Sequence, residues 1–143
     1  VTIHTNDFDF HQLKGVPLLP VKGARGPSDE VQPQHVSAYK ALRGDSSDKI
    51  PGLPGFGPKA WLNFREIYDD VDEILRTKDR TRLCQLPFTP KCKAWVLENA
   101  ELLFTYYDIT KMIEVPMELI DEHTQVGTPN PAAAMSLFTR FML

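Results

Sequence analysis

The spacing of apolar and polar residues changes character along the chain. The opening run VTIHT, residues Val1–Thr5, is β-rich and stops at the strand breakers Asn6 and Asp7, which predicts a short strand. The stretch KGVPLLPVKGARGPSD then carries three prolines and three glycines, and predicts an irregular connection with at most short extended pieces around Leu18–Val21. Helical spacing takes over in QPQHVSAYKALRG, with Pro33 near the first turn, Gly44 past the end, and Val36, Ala38, Tyr39 and Leu42 on one stripe. Further helices are expected from about Lys59 to Tyr68 and near Val71–Arg76. The longest periodic segment is TPKCKAWVLENAELLFTYYDITKMI, where Val96, Ala100, Leu103 and Tyr107 recur at helical spacing. VPMELI suits an extended segment, TPNPAAAMSLFTRFM ends in a short helix, and DDVDEILRTKDRTR reads as an exposed helix with its loop. No internal repeat is evident. The predicted class is mostly α, one strand followed by a helical body.

A chain of 143 residues suits one domain or part of a larger protein. Its 42% hydrophobic and 24% charged residues exclude wholesale disorder. No apolar run reaches membrane-spanning length, and no signal-peptide pattern opens the chain, so no membrane partner is expected. Cys84 and Cys92 are too few for a disulfide framework or a zinc site and read as reduced thiols of a cytoplasmic protein. The net charge of −3 argues weakly against nucleic acid, but the charge is segregated. Between Lys40 and Arg65, five basic residues (Lys40, Arg43, Lys49, Lys59, Arg65) face only Asp45 and Asp48, a local balance of +3. The chain starts at Val1 without Met and enters a strand at once. A lone strand leaves its backbone groups unpaired, so Val1–Thr5 is expected to pair with strands of a missing upstream segment or to be poorly ordered.

The segment GDSSDKIPGLPGFGPKA, Gly44 to Ala60, concentrates four glycines and three prolines. LPGFGPKA has the form of a helix-hairpin-helix turn: an apolar residue, then Gly55-Phe56-Gly57, then a helix start carrying Lys59. Glycine lets a backbone turn with positive φ and approach a ligand closely. The free N–H groups of the next helix suit a phosphate. Phe56 is the expected inward anchor and Lys59 a point charge toward a nucleic-acid backbone. Such contacts touch no base edge, so binding should be sequence-independent and salt-sensitive. The plainer reading is an ordinary tight connection between helices.

Asp7 and Asp9 follow the predicted strand at its carboxyl end, where open α/β sheets place ligands. Asp45 and Asp48 sit three apart beyond a helix. Hard divalent cations such as Mg2+ take oxygen ligands, and a cation would relieve the repulsion of converging carboxylates. Each pair alone also suits turn formation or helix capping.

Together these segments resemble the 5′-nuclease family, which includes flap endonucleases and the 5′–3′ exonuclease domain of bacterial DNA polymerase I. TNDFDFHQL is similar to its S/T-x-D-x-D-x-x-Q-L segment, and ALRGDSSDKIPGLPGFGPKAW to its GD-x-SDN-IPG-x-PG-I-G-x-K-x-A signature. The resemblance implies a two-metal DNA phosphodiesterase, using Mg2+ or Mn2+, that acts on duplex DNA with a 5′ flap or free 5′ end in a bacterial or phage-infected cell. It implies that Asp7, Asp9, Asp45 and Asp48 are metal-binding catalytic acids. The last two would belong to a helix-three-turn-helix element whose Gly55, Gly57 and Lys59 grip duplex. The backbone carbonyls of Pro51, Leu53 and Phe56 would take a monovalent cation such as K+. On this reading residues 1–30 end an α/β nuclease core and 31–143 form a helical DNA-binding domain. The family has Asn where this chain has Lys49, a charge that could weaken a metal site or, pointing outward, contact phosphate. The family's other acids and its basic arch have no counterpart here, since the similarity spans only about the second half of a nuclease domain. A non-catalytic DNA-binding module using the hairpin alone is the alternative.

Among other residues, His4 is expected to pack, and His11, His35 and His123 lack metal-ligand spacing. Trp61, Phe64 and Tyr68 read as core. Lys22 and Arg25 read as loop residues able to touch DNA.

Overall fold

The computed structural model describes residues 2–19, 31–123, 127–128 and 130–141. Lys22 and Arg25 lie outside them. Two compact units divide at Met112/Ile113. The first is built around α1 (Val36–Arg43), in which every side chain from Val36 to Leu42 is buried. A 3-10 turn, Pro33–His35, leads into it, with Pro33 at the first position as expected. The small Ala38 and Ala41 let neighbours close on α1, and its principal partner is α5 (Pro90–Thr110). Val96, Ala100, Leu103 and Tyr107, the stripe read from the sequence, face inward from α5, and Phe104 joins them. Each large apolar side chain so buried contributes about 1.5–3 kcal/mol.

Local chemistry sets the element ends. Thr89 caps α5 by accepting the Cys92 N–H at 3.3 Å, with Pro90 at the first position. Inside α5, Asn99 departs from helical dihedrals (φ −126, ψ 26) and donates its side-chain amide to the Trp95 carbonyl at 3.0 Å, which kinks the helix. The helix expected over 59–68 is interrupted: α2 spans Pro58–Leu62 and α3 Tyr68–Thr77. Between them Phe64 turns into the core, where Trp61 stacks on Tyr68 with centroids 4.4 Å apart. α3 is not merely an exposed helix, because Val71, Ile74 and Leu75 are buried. Lys78 then takes a left-handed conformation, and Asp79 caps α4 (Arg80–Gln85), a helix the sequence reading missed.

Three further expectations are corrected. The strand-forming run finds its partner within the chain: β1 (Ile3–His4) pairs in parallel with β2 (Leu18–Leu19), Ile3 opposite Leu18. His4 is exposed rather than packed, since alternation along the strand turns Ile3 inward instead. The second unit contains α6 (Met117–His123) and α7 (Pro131–Phe141). VPMELI therefore runs into a helix, not a strand. No helix among the described residues is long and apolar enough to cross a membrane.

A close backbone crossing forms the far end of α1. Gly44 (φ +90) ends the helix, and Gly52 (φ +66) lies against it; the Leu53 N–H bonds to the Leu42 carbonyl at 2.8 Å. A Cβ on Gly52 would lie 2.3 Å from the Gly44 nitrogen and 2.4 Å from the Arg43 carbonyl carbon. Gly52→Ala should destabilise the protein by about 2 kcal/mol or more in urea melts. Gly55→Ala, at φ +77 with nothing within 4 Å of the added Cβ, should cost about 1 kcal/mol. Equal losses would refute the crossing as a steric constraint.

Candidate functional site

Three separate stretches supply the site. The first is a 3-10 turn, Phe8–Gln12, capped by Asp7, whose carboxylate accepts the Asp9 N–H at 2.9 Å. Phe8 packs edge-on against Tyr39 of α1. Gln12 ties the turn down from both ends of its amide. Its nitrogen donates to the Thr110 carbonyl at 2.8 Å, and its oxygen accepts from the Ser37 hydroxyl at 2.8 Å and the Met112 N–H at 3.0 Å. Thr110 in turn donates to the Ser37 carbonyl at 3.1 Å. The turn that carries Asp9 is thereby fixed to α1 and to the end of α5.

The second stretch is α1, which contributes Lys40. The third is the loop after Gly44, closed by reciprocal backbone bonds between Asp45 and Ile50, each 2.8 Å. Within it the Asp45 carboxylate accepts both the N–H and the hydroxyl of Ser47. These pieces converge on one atom. The Lys40 ammonium lies 2.5 Å from Asp9 Oδ1, 2.8 Å from Asp45 Oδ2 and 3.0 Å from Asp48 Oδ2.

The Lys40 side chain is only 3% exposed, whereas that of Asp48 is 40% exposed, so the cluster is sealed beneath and open at its rim. It borders a cleft of about 850 Å3 whose lining includes Asp7, Asp9, Lys40, Arg43, Asp45 and Asp48. Burial alone would lower the lysine's pKa, but the bonds it donates to Asp45, Asp9 and Asp48 outweigh that and hold the ammonium well above its usual range. Burial would likewise raise Asp45; the bonds from Lys40 and Ser47 prevail and bring it down to about 2.

Of the acids singled out in the sequence, the structure brings Asp9, Asp45 and Asp48 to a common point, and Asp7 lines the same cleft while capping the turn. The donors suit a hard divalent ion, being carboxylate oxygens around one position. That position holds the Lys40 nitrogen, and around it no group of three acids among the described residues is arranged to ligate an ion. Lys49 is exposed and left-handed (φ +57), a conformation Asn adopts more readily than Lys. In the hairpin, Phe56 is buried beside Phe64 and Phe88, while Gly55 and Lys59 are exposed. Gly57 is extended and caps α2 without a side chain. The Leu53 carbonyl already accepts the Phe56 N–H at 3.1 Å. His35 is buried against Asp69 at 2.7 Å, and burial lowers the pKa of His11.

The sequence reading missed Lys40 and Gln12 as site builders. The signal for Lys40 was a lone cation inside VSAYKAL, four residues after Val36 and so on an apolar face.

Since Asp45 titrates lower in the folded chain than its ordinary 3.8, its pairing stabilises the fold above that value, and the gain is lost as pH falls toward about 2. The contribution is on the order of 2 kcal/mol. Urea melts should show a smaller loss of stability between pH 4 and pH 2 for Asp45→Asn than for the parent. An identical loss would place the acid sensitivity elsewhere.

The family model for the 5′-3′ exonuclease, C-terminal SAM fold, matches residues 31–132. A flap endonuclease Xni from Photobacterium profundum is 49% identical over 49 residues, 34% of this chain and 19% of the relative. A 5′-3′ exonuclease from Aquifex aeolicus is 32% identical over 100 residues, 70% of this chain and 32% of the relative. A DNA polymerase I from Chloroflexus aurantiacus is 29% identical over 125 residues, 86% of this chain and 12% of the relative. The chain thus spans a third or less of the length of these relatives. No solved structure matches it. With the family model covering most of its length over a mostly helical fold, the chain belongs to the 5′-3′ exonuclease family through its C-terminal SAM-fold domain.

Proposed function

We propose that the chain is the C-terminal part of a structure-specific 5′-3′ exonuclease or flap endonuclease, which hydrolyses DNA phosphodiester bonds once completed by the remainder of a nuclease domain. The observation that supports this most is the meeting of Asp9, Asp45 and Asp48 at one point, from segments far apart in sequence. In this reading those three residues hold Mg2+ or Mn2+, and Asp7 adds a carboxylate on the cleft wall. The chemistry that two divalent ions supply when bound is activation of the attacking water and stabilisation of the leaving oxygen.

The chain's own contribution is positional. The Gln12 amide and the Gly44–Gly52 crossing hold the acids in register from opposite sides. Lys49 and Lys59, both exposed, meet phosphates, and the hairpin at Gly55 and Gly57 lets the DNA backbone approach. A potassium ion at the carbonyls of Pro51, Leu53 and Phe56 would use the second lone pair of the Leu53 oxygen, the first being engaged by Phe56.

A chimera that joins this chain to the N-terminal portion of the Aquifex aeolicus relative should cleave a 5′-flap duplex with Mg2+. Asp48→Ala should reduce that cleavage by about 100-fold or more. Undiminished cleavage by that variant would refute the assignment. Lys59→Ala should weaken duplex binding and lower the slope of log affinity against log salt by about 1, with no change in sequence preference. Loss of binding without loss of cleavage chemistry separates this role from that of the acids. A chimera that binds duplex through Lys59 yet never cleaves would favour a non-catalytic binding module.

A further inference from the structure

We propose that Lys40 is the resident counter-cation of the aspartate cluster: it holds Asp9, Asp45 and Asp48 convergent before a divalent ion binds, and it competes with that ion for the position between them. This inference rests on the reading that the three acids are metal ligands.

The geometry carries it. A side chain 3% exposed donates to three carboxylates from two separate segments, at 2.5, 2.8 and 3.0 Å. An ammonium has three donors, and all three are spent here. The lysine therefore satisfies the acids as a set, where an ordinary surface lysine pairs with one. Its stem is packed in α1 between buried neighbours, which limits how far the nitrogen can withdraw when an ion enters. The acids, by contrast, sit on a 3-10 turn and a loop and keep one face toward the cleft. With the nitrogen at their common point, no group of three acids among the described residues is arranged to hold an ion. A divalent ion must then either displace the ammonium or draw the carboxylates outward, and in both cases two like charges oppose each other at short range. Lys40 thus acts as a positioning residue that sets how tightly the site holds metal and keeps the carboxylates from repelling one another without it.

The test uses Mn2+ alone, followed by loss of the free-ion electron paramagnetic resonance signal, on the parent and on Lys40→Met. The variant should bind Mn2+ about tenfold or more tightly than the parent, because the opposing charge is gone. Its melting temperature should fall in the absence of metal and recover with Mn2+ by a larger increment than in the parent. Equal Mn2+ affinity in the two proteins would overturn the inference and leave the metal reading intact. No Mn2+ binding by either protein would overturn both. In case the variant does not fold, the parent alone decides: its protected Lys40 ammonium signal in nitrogen-15 spectra should shift or vanish as Mg2+ moves the carboxylate carbon signals of Asp9, Asp45 and Asp48. An unmoved ammonium beside shifting carboxylates would refute the competition.

Discussion

The ammonium of Lys40 and its three carboxylates are mutually dependent. A buried charge without partners costs several kcal/mol, and three carboxylates around one point repel one another without a cation. Neither half of the arrangement is tolerable alone. Because the acids come from both sides of a long connection, the cluster also joins parts of the chain that local propensity would leave unrelated. Asp9 and Lys40 are 31 residues apart, yet they form its shortest contact.

The helical body is arranged to make that meeting possible. α1 is buried along its length and serves as the fixed rail on which Lys40 is mounted. Gln12 fastens the Asp9 turn to the rail and to the end of α5, and the Gly44–Gly52 crossing presses the Asp45–Ile50 loop against the end of α1. Apolar packing supplies rigidity, and a few hydrogen bonds convert it into the placement of charges. The rim stays open at Asp48, facing a cleft lined by Asp7, Asp9, Lys40, Arg43 and Asp45.

Much of this was legible in the sequence where one physical rule dominates. The α1 and α5 stripes, Pro33 at a helix start, Gly44 past a helix end and the inward Phe56 each follow from periodicity or turn chemistry. The aspartates were readable as candidates because their motifs are long. What stayed hidden depended on tertiary partners. Lys40 reads as a surface lysine until its three acids are placed around it. Gln12 is an ordinary polar residue until Thr110 and Ser37 arrive. β2 falls where a short extended piece was expected, but its pairing with β1 depends on the tertiary register. The break after α2 reflects Phe64 turning into the aromatic cluster, which overrides a continuous helical pattern from Lys59 to Tyr68.

A double-mutant cycle between Lys40 and Asp9 measures the central interaction most directly. Urea melts of the parent, Lys40→Met, Asp9→Asn and the double variant yield the coupling free energy. A favourable coupling on the order of 1–3 kcal/mol is expected between these sequence-distant residues. Strictly additive losses would contradict it, for the ammonium would then not be what holds the carboxylates together.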